Sequence, residues 1–379
     1  MALAFQMKYV LTCLIVAGMA DCLGATPIRE NKTIVWEHST LVQITQRATY
    51  ARMIRLDNGS LLCAYESRGK SYVRKSTDNG KSWDKAVLAA ACSWGFAANP
   101  ELLQLENGWI LLPYNERPTD RTHPYTIRVA VSKDRGLTWH ENSLVYMADT
   151  LRTNGCWEPA AVQLANGEIL LFFANESPYR TSNEQEISLV TSRDNGRTWS
   201  ASRTASFRSG FRDGMPVPCV LKSGKGIVLA IEDRGLPGRN TFQPAIVCSS
   251  IEAPWPAPVD GRSDRRWEAL KNPLKPDVYA GAPYLRQMPS GTTVLSVQVQ
   301  DPGQAGPTMV VYLGNEDARR FSSPSKPFEN GPGSKQKWGS LFVKDANTIT
   351  ALSSCLGGVW SIDGRIVRSS AVAGKRMEE

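Results

Sequence analysis

Two glutamates carry the chemistry this sequence can offer. Glu158 stands between Trp157 and Pro159 at the entrance of an apolar strand, and Glu232 leaves another apolar strand just ahead of Asp233-Arg234. Two carboxyl groups beside one glycosidic bond can divide the work of hydrolysis. One protonates the leaving oxygen while the other attacks carbon or activates water. Apolar neighbours would raise the pKa of Glu158 and suit a proton donor, whereas the more polar context of Glu232 suits an ionised nucleophile. Either glutamate alone reads more simply as a solvated rim residue or half of an ion pair. The case for chemistry therefore depends on something that brings the two to one place.

A repeat does this. After Glu158 the chain runs PAAVQLANGEILLFFANES, an apolar strand, a turn at Asn166-Gly167, a second apolar strand and a polar exit, which is a β-hairpin signature. The same layout begins at Ala51, Pro100, Pro216 and Pro283, and a weaker copy begins at Gly339. Aligned on their turns, the hairpins place Tyr50, Asn99, Glu158, Met215 and Ala282 at the entrance of the first strand. Glu66, Asn115, Ala174, Glu232 and Gln298 stand at the exit of the second. A hairpin returns the end of its second strand beside the start of its first, so both columns open on one end of the molecule. Glu158 in the third unit and Glu232 in the fourth then face each other across a shared pocket. Glu101 and Glu176 compete for attention, as do Glu66, with Arg68 nearby, and Glu116, followed by Arg117. Ion pairing is the expected fate of the last two.

A second repeat punctuates the first. STDNGKSW from Ser76, SKDRGLTW from Ser132 and SRDNGRTW from Ser192 share Ser-x-Asp-x-Gly-x-Ser/Thr-Trp. The Gly supplies a positive φ for a tight turn, the Asp can cap local backbone N–H groups, and the Trp can pack beneath. These are structural roles, so no box residue is a catalytic candidate. Their spacing lies near the roughly 40–60 residues of a four-stranded propeller blade. The chain is expected to be all-β, a six-bladed propeller of four-stranded antiparallel blades in one domain over residues 26–379. A strand from Thr33 to Thr45 would close the ring against the C-terminal strands. The Pro-rich segment 253–276 reads as an extended excursion between blades four and five.

With 379 residues, 42% of them hydrophobic, the chain can bury a large core. Lys8, an apolar run from Tyr9 to Ala20 and small residues at Gly24 and Ala25 read as a signal peptide over residues 1–25, which predicts secretion. No later segment is apolar enough to span a bilayer, so no membrane association is expected. The net charge of +8 comes from Lys and Arg scattered through turns, which argues against nucleic acid as a partner. Of the eight cysteines, six lie beyond the signal, in no zinc pattern, and are expected to be mostly small buried strand residues. No metal or cofactor is expected, and the protein should be a monomer.

The three boxes resemble the Asp-box, or BNR, repeats of the sialidase superfamily of β-propellers. Within it, Trp157-Glu158-Pro159, Arg212-Asp213-Gly214-Met215-Pro216, Glu232 and Ala280-Gly281-Ala282-Pro283-Tyr284 resemble glycoside hydrolase family 93, the exo-α-1,5-L-arabinanases. That resemblance implies a retaining exo-acting hydrolase on a polysaccharide or oligosaccharide, releasing arabinobiose from linear α-1,5-L-arabinan, with Glu158 and Glu232 as the catalytic pair. Arg52, Asn99, Arg212, Asp213 and Tyr284 become candidates for sugar contacts. A sialidase is the alternative: Arg52 sits where that family has its first arginine, and Arg212 and Arg286 could complete a cluster. Against it, no Asp acid follows blade one. A non-catalytic carbohydrate-binding propeller is the third reading.

Overall fold

The computed structural model describes residues 32–368, apart from 225 and 334. The expected signal peptide lies outside the described residues. Six antiparallel sheets of four principal strands account for nearly all regular structure, and the one helical element among the described residues is the 3₁₀ turn Arg152–Asn154. The first strands of the blades are Thr49–Arg55, Gly95–Ala98 continued by Leu103–Gln104, Cys156–Gln163, Asp213–Val220, Tyr279–Gln287 and Lys337–Val343. They pack against one another around the axis. Later strands of each blade lie progressively outward.

Closure follows the sequence expectation. Strand Lys32–Gln46 pairs antiparallel with Gly358–Arg368, from Lys32 opposite Arg368 to Gln46 opposite Gly358, so the chain's first described strand is the outermost strand of the last blade. This joins the two ends of the ring and leaves blade six without an unfinished sheet edge.

Alternating apolar residues on both faces of the strands form the core between blades. Leu170, Phe172 and Leu189 of blade three, for example, share one buried cluster with Ile227, Leu229 and Ile231 of blade four. The three boxes occupy the turns between third and fourth strands. In each, the Asp accepts the backbone N–H four residues on at 2.9 Å, and the Gly N–H reaches the Ser hydroxyl at 2.8–2.9 Å. These turns share the hairpin-turn end of the propeller: Arg135 pairs with Asp57 at 3.1 Å and Arg193 with Glu168 at 3.1 Å. The boxes thus hold the scaffold at the end away from Glu158.

The Pro-rich segment differs from its sequence reading. It is not wholly an excursion between blades, because Arg266–Glu268 in its middle is the fourth strand of blade four. Before that strand the chain bends back onto blade three, where Trp255 is buried edge-on against Phe172 at 4.9 Å and Val259 N–H bonds to the Ala205 carbonyl. From this outermost strand the Arg266 side chain reaches Asp213 and Asp233, with consequences for the site. The six cysteines among the described residues are all unpaired, with Cys63 and Cys156 buried.

Candidate active site

One backbone feature recurs in every blade. Tyr50, Asn99, Glu158, Met215, Ala282 and Trp338 all have positive φ, between 46° and 57°. In five blades the residue lies at a register shift between first and second strands, and Asn99 lies between the two segments of blade two's first strand. A non-glycine residue rarely adopts this conformation, and its sixfold repetition marks a built device. The five entrance residues aligned from sequence all belong to this column. Trp338, the sixth, was out of reach because the last hairpin is recognisable only from Gly339 onward.

The exit residues complete the device. Ser354 Oγ accepts the Tyr50 N–H at 3.1 Å, Gln298 Oε1 the Trp338 N–H at 3.0 Å, and Glu232 Oε2 the Ala282 N–H at 2.9 Å; Glu66 accepts that of Asn99. An exit side chain of one blade thus braces the bulge of the next. The exit of blade three is Ala174, which has no side-chain oxygen to offer. There the Met215 N–H is met by the carboxylate of Glu158 itself.

This arrangement brings Glu158 and Glu232 together over one peptide. Glu158 reaches Met215, and Glu232 packs against Gly214, where an added Cβ would stand 2.8 Å from Oε1. On its other side Glu232 packs against Gly281, where a Cβ would meet Glu232 Oε2 at 2.5 Å and the Tyr279 hydroxyl at 2.3 Å. Glycine is needed at both positions for close approach, since neither has positive φ. Both carboxyls line a 390 Å³ pocket with Arg117, Trp157, Arg212 and Phe242.

Burial sets the electrostatics. It raises the pKa of Glu232 to about 7, helped by the Glu158 charge and opposed by the Ala282 N–H and Arg212. Burial also raises that of Glu158, against the Arg117 guanidinium, the Met215 N–H and Arg52. The charge of Glu158 adds to the rise at Glu232, so the two carboxyls influence each other's titration. Arg117, which comes from another blade, favours the ionised form of Glu158, an influence that the sequence neighbours of Glu158 do not reveal.

The five expected sugar-contact residues divide. Arg212 lines the pocket, its guanidinium held by Glu176, Gln185 and the Asn183 carbonyl. Asn99 is buried and accepts from Arg117. Arg52 and Tyr284 lie below, filling the axis. Arg52 pairs with Glu101 at 3.4 Å, between the rings of Tyr50 at 3.9 Å and Tyr284 at 4.8 Å, and the Tyr284 hydroxyl donates to Glu101. Asp213 is fully buried and bound by Arg266 and Ser206. Arg52, Asp213 and Tyr284 are buried with polar atoms engaged within the protein, and none of the three lines this pocket. Each arginine of the cluster that a sialidase would use has a partner within the protein: Arg52 pairs with Glu101, Arg286 donates to the Tyr284 hydroxyl, and Arg212 pairs with Glu176.

Two competitors also have other partners than expected. Glu116 pairs with Arg128 at 2.6 Å, which frees Arg117 to turn inward, bonded to Asn99 and Asn115 and lying 5.2 Å from the Trp157 ring centre. Glu66 faces Asn99 and Arg117. Sequence reasoning missed Arg117 and Tyr279 at the site. Each stands two residues from a recognised position, Asn115 and Gly281, and the period of two along a strand could have flagged both.

The comparisons agree with this architecture. Residues 125–259 match the family described as a BNR repeat-like domain. No curated protein sequence matches significantly. Among solved structures, the family 93 α-L-arabinofuranosidase of Fusarium graminearum, in complex with arabinobiose, is similar with a TM-score of 0.68 and 21% identity, over 87% of this chain and 97% of that one. The α-L-arabinanase of Penicillium chrysogenum, also with arabinobiose, gives 0.66 and 20% over 88% and 98%. A Hadza microbial sialidase gives 0.56 and 13% over 86% and 66%. At these identities the likeness establishes a shared propeller fold.

Proposed function

We propose that the protein is a secreted retaining glycoside hydrolase acting at the end of linear α-1,5-L-arabinan and releasing arabinobiose. The observation that carries this reading is the meeting of Glu158 and Glu232 at the Gly214–Met215 peptide, two carboxyls that line one pocket. One protonates the glycosidic oxygen as the bond to the sugar breaks. The other attacks the anomeric carbon, and water then releases the sugar with the first group acting as base. Arg117 and Arg212 keep the charge in place, and Trp157 and Phe242 offer apolar faces to a ring. The arabinobiose complexes of the two fungal propellers support arabinan as the substrate; the engagement of Arg52, Arg286 and Arg212 by partners within the protein weighs against a sialoside.

The test is incubation with linear arabinan, arabinoxylan and a sialyl-lactose, followed by product analysis. Arabinobiose as sole product is expected. Free sialic acid would replace the reading with a sialidase, and arabinan binding without hydrolysis would replace it with a lectin.

A further inference from the structure

The pocket does not end at the two glutamates. Arg117, Arg152 and Trp157 are shared with a second hollow of 380 Å³, which runs toward blades one and two and is also lined by Glu66, Phe96 and Tyr125. On the opposite side the first pocket is bounded by Arg212 and its partners Glu176 and Gln185. The cavity therefore continues in one direction from the catalytic pair.

The second lobe has the parts of a sugar site. Phe96 is 44% exposed and its ring lies across Gly69, where an added Cβ would meet it at 2.5 Å, while Ala97 N–H bonds to the Gly69 carbonyl at 2.8 Å. Trp157 packs edge-on against Tyr125 at 5.0 Å. Two aromatic rings packed in this way offer flat apolar faces, which suits stacking on a sugar ring. Between them Glu66, anchored on the Asn99 N–H, presents acceptor capacity for hydroxyls. Arg117 stands between Glu66 and Glu158, so its charge is already balanced by carboxylates and the lobe suits a neutral ring.

We propose that this lobe is a second subsite for a neutral sugar of the same chain, with Phe96 as stacking platform and Glu66 as hydroxyl acceptor, so that the substrate extends from the catalytic pair toward blades one and two. The proposal rests on the hydrolase reading above. Its residues contact substrate remote from the reacting bond, so their effect grows with chain length.

Wild type, Phe96→Ala and Glu66→Gln are compared on linear α-1,5-arabino-oligosaccharides of three to six sugars and on an activated arabinobioside, which has no sugar beyond the cleaved bond. Both kcat/KM and calorimetric affinity are measured, the latter also with xylo-oligosaccharides and sialyl-lactose. In wild type both quantities should rise with length. Each substitution should lower them about tenfold for the longer chains, with little change for the activated arabinobioside and an unchanged melting temperature. Hydrolysis or binding that is indifferent to length and to both substitutions would overturn the subsite. Length-dependent binding lost in Phe96→Ala, without hydrolysis in wild type, would overturn the hydrolase reading and retain the lobe. Absence of binding by every sugar would overturn both.

Discussion

At the scale of single residues, the site depends on what is absent as much as on what is present. Gly281 leaves room for Glu232 and the Tyr279 hydroxyl to meet, and an alanine there places a methyl 2.5 Å from the carboxylate. Gly281→Ala should therefore fold and lower kcat by about 10²-fold, because a displacement near 1 Å is costly in a positioned pair. Steady-state kinetics beside a thermal melt checks this, and an unchanged kcat would show that Glu232 need not stand where it does. The raised pKa of Glu232 also has a consequence for stability. Its folded value of about 7 exceeds the unfolded value of 4.5, so the unfolded chain loses its proton first and stability falls as pH rises through that window. Glu232→Gln should match wild type at pH 4 and be more stable by roughly 1–3 kcal/mol at pH 8. Denaturant unfolding at the two pH values measures the difference; a deficit at pH 8 would contradict the assignment.

At the scale of elements, blade four's outermost strand reaches the site through one side chain. Arg266 binds Asp213 and Asp233, the residues flanking Gly214 and Glu232, and Arg208 adds a second cation to Asp233 at 2.8 Å. The long detour before Arg266–Glu268 thus ends by tying together the two strands that position Glu232. Arg266→Met leaves two buried carboxylates short of a cation, which should cost about 3–5 kcal/mol at pH 8. The loss should be smaller at pH 4.5, where the Asp213 carboxyl, whose pKa burial raises, can take up a proton. Denaturant unfolding at both values reads this out, and an equal loss at each pH would mean that the charges are not what Arg266 supports. Nothing in the local sequence around Arg266 announces this role, because its partners lie 53 and 33 residues away.

At the scale of the whole molecule, closure of the ring keeps the pocket's walls in register. Deleting Lys32–Gln46 exposes the edge of Gly358–Arg368, and the melting temperature should fall by on the order of 10 °C with a rise in aggregation. Light scattering during a thermal scan checks both; an unchanged melt would mean that blade six is stable without its closing strand. The ring was readable because hairpin turns and Asp boxes are local signals that repeat, and the same repetition aligned Glu158 and Glu232 on one end. What could not be read was which side chains meet across blades. Arg52, Asp213 and Tyr284 sit at suggestive positions yet commit their polar atoms to Glu101 and Arg266. Arg117 looked like the partner of Glu116 and instead serves the pocket. Such pairings depend on blade-to-blade geometry, which the period of a repeat leaves open.

The central claim is that Glu158 and Glu232 act as one retaining pair, and azide rescue tests it most directly. Glu158→Gln and Glu232→Gln are each assayed on an activated arabinobioside with and without sodium azide, with NMR of any glycosyl azide formed. Each variant should keep its fold and lose at least about 10³-fold in turnover. Azide should restore activity in both, with inverted configuration where the nucleophile has been removed and retained configuration where the acid/base has been removed. Near wild-type turnover in either variant, or the same azide anomer from both, would contradict the account.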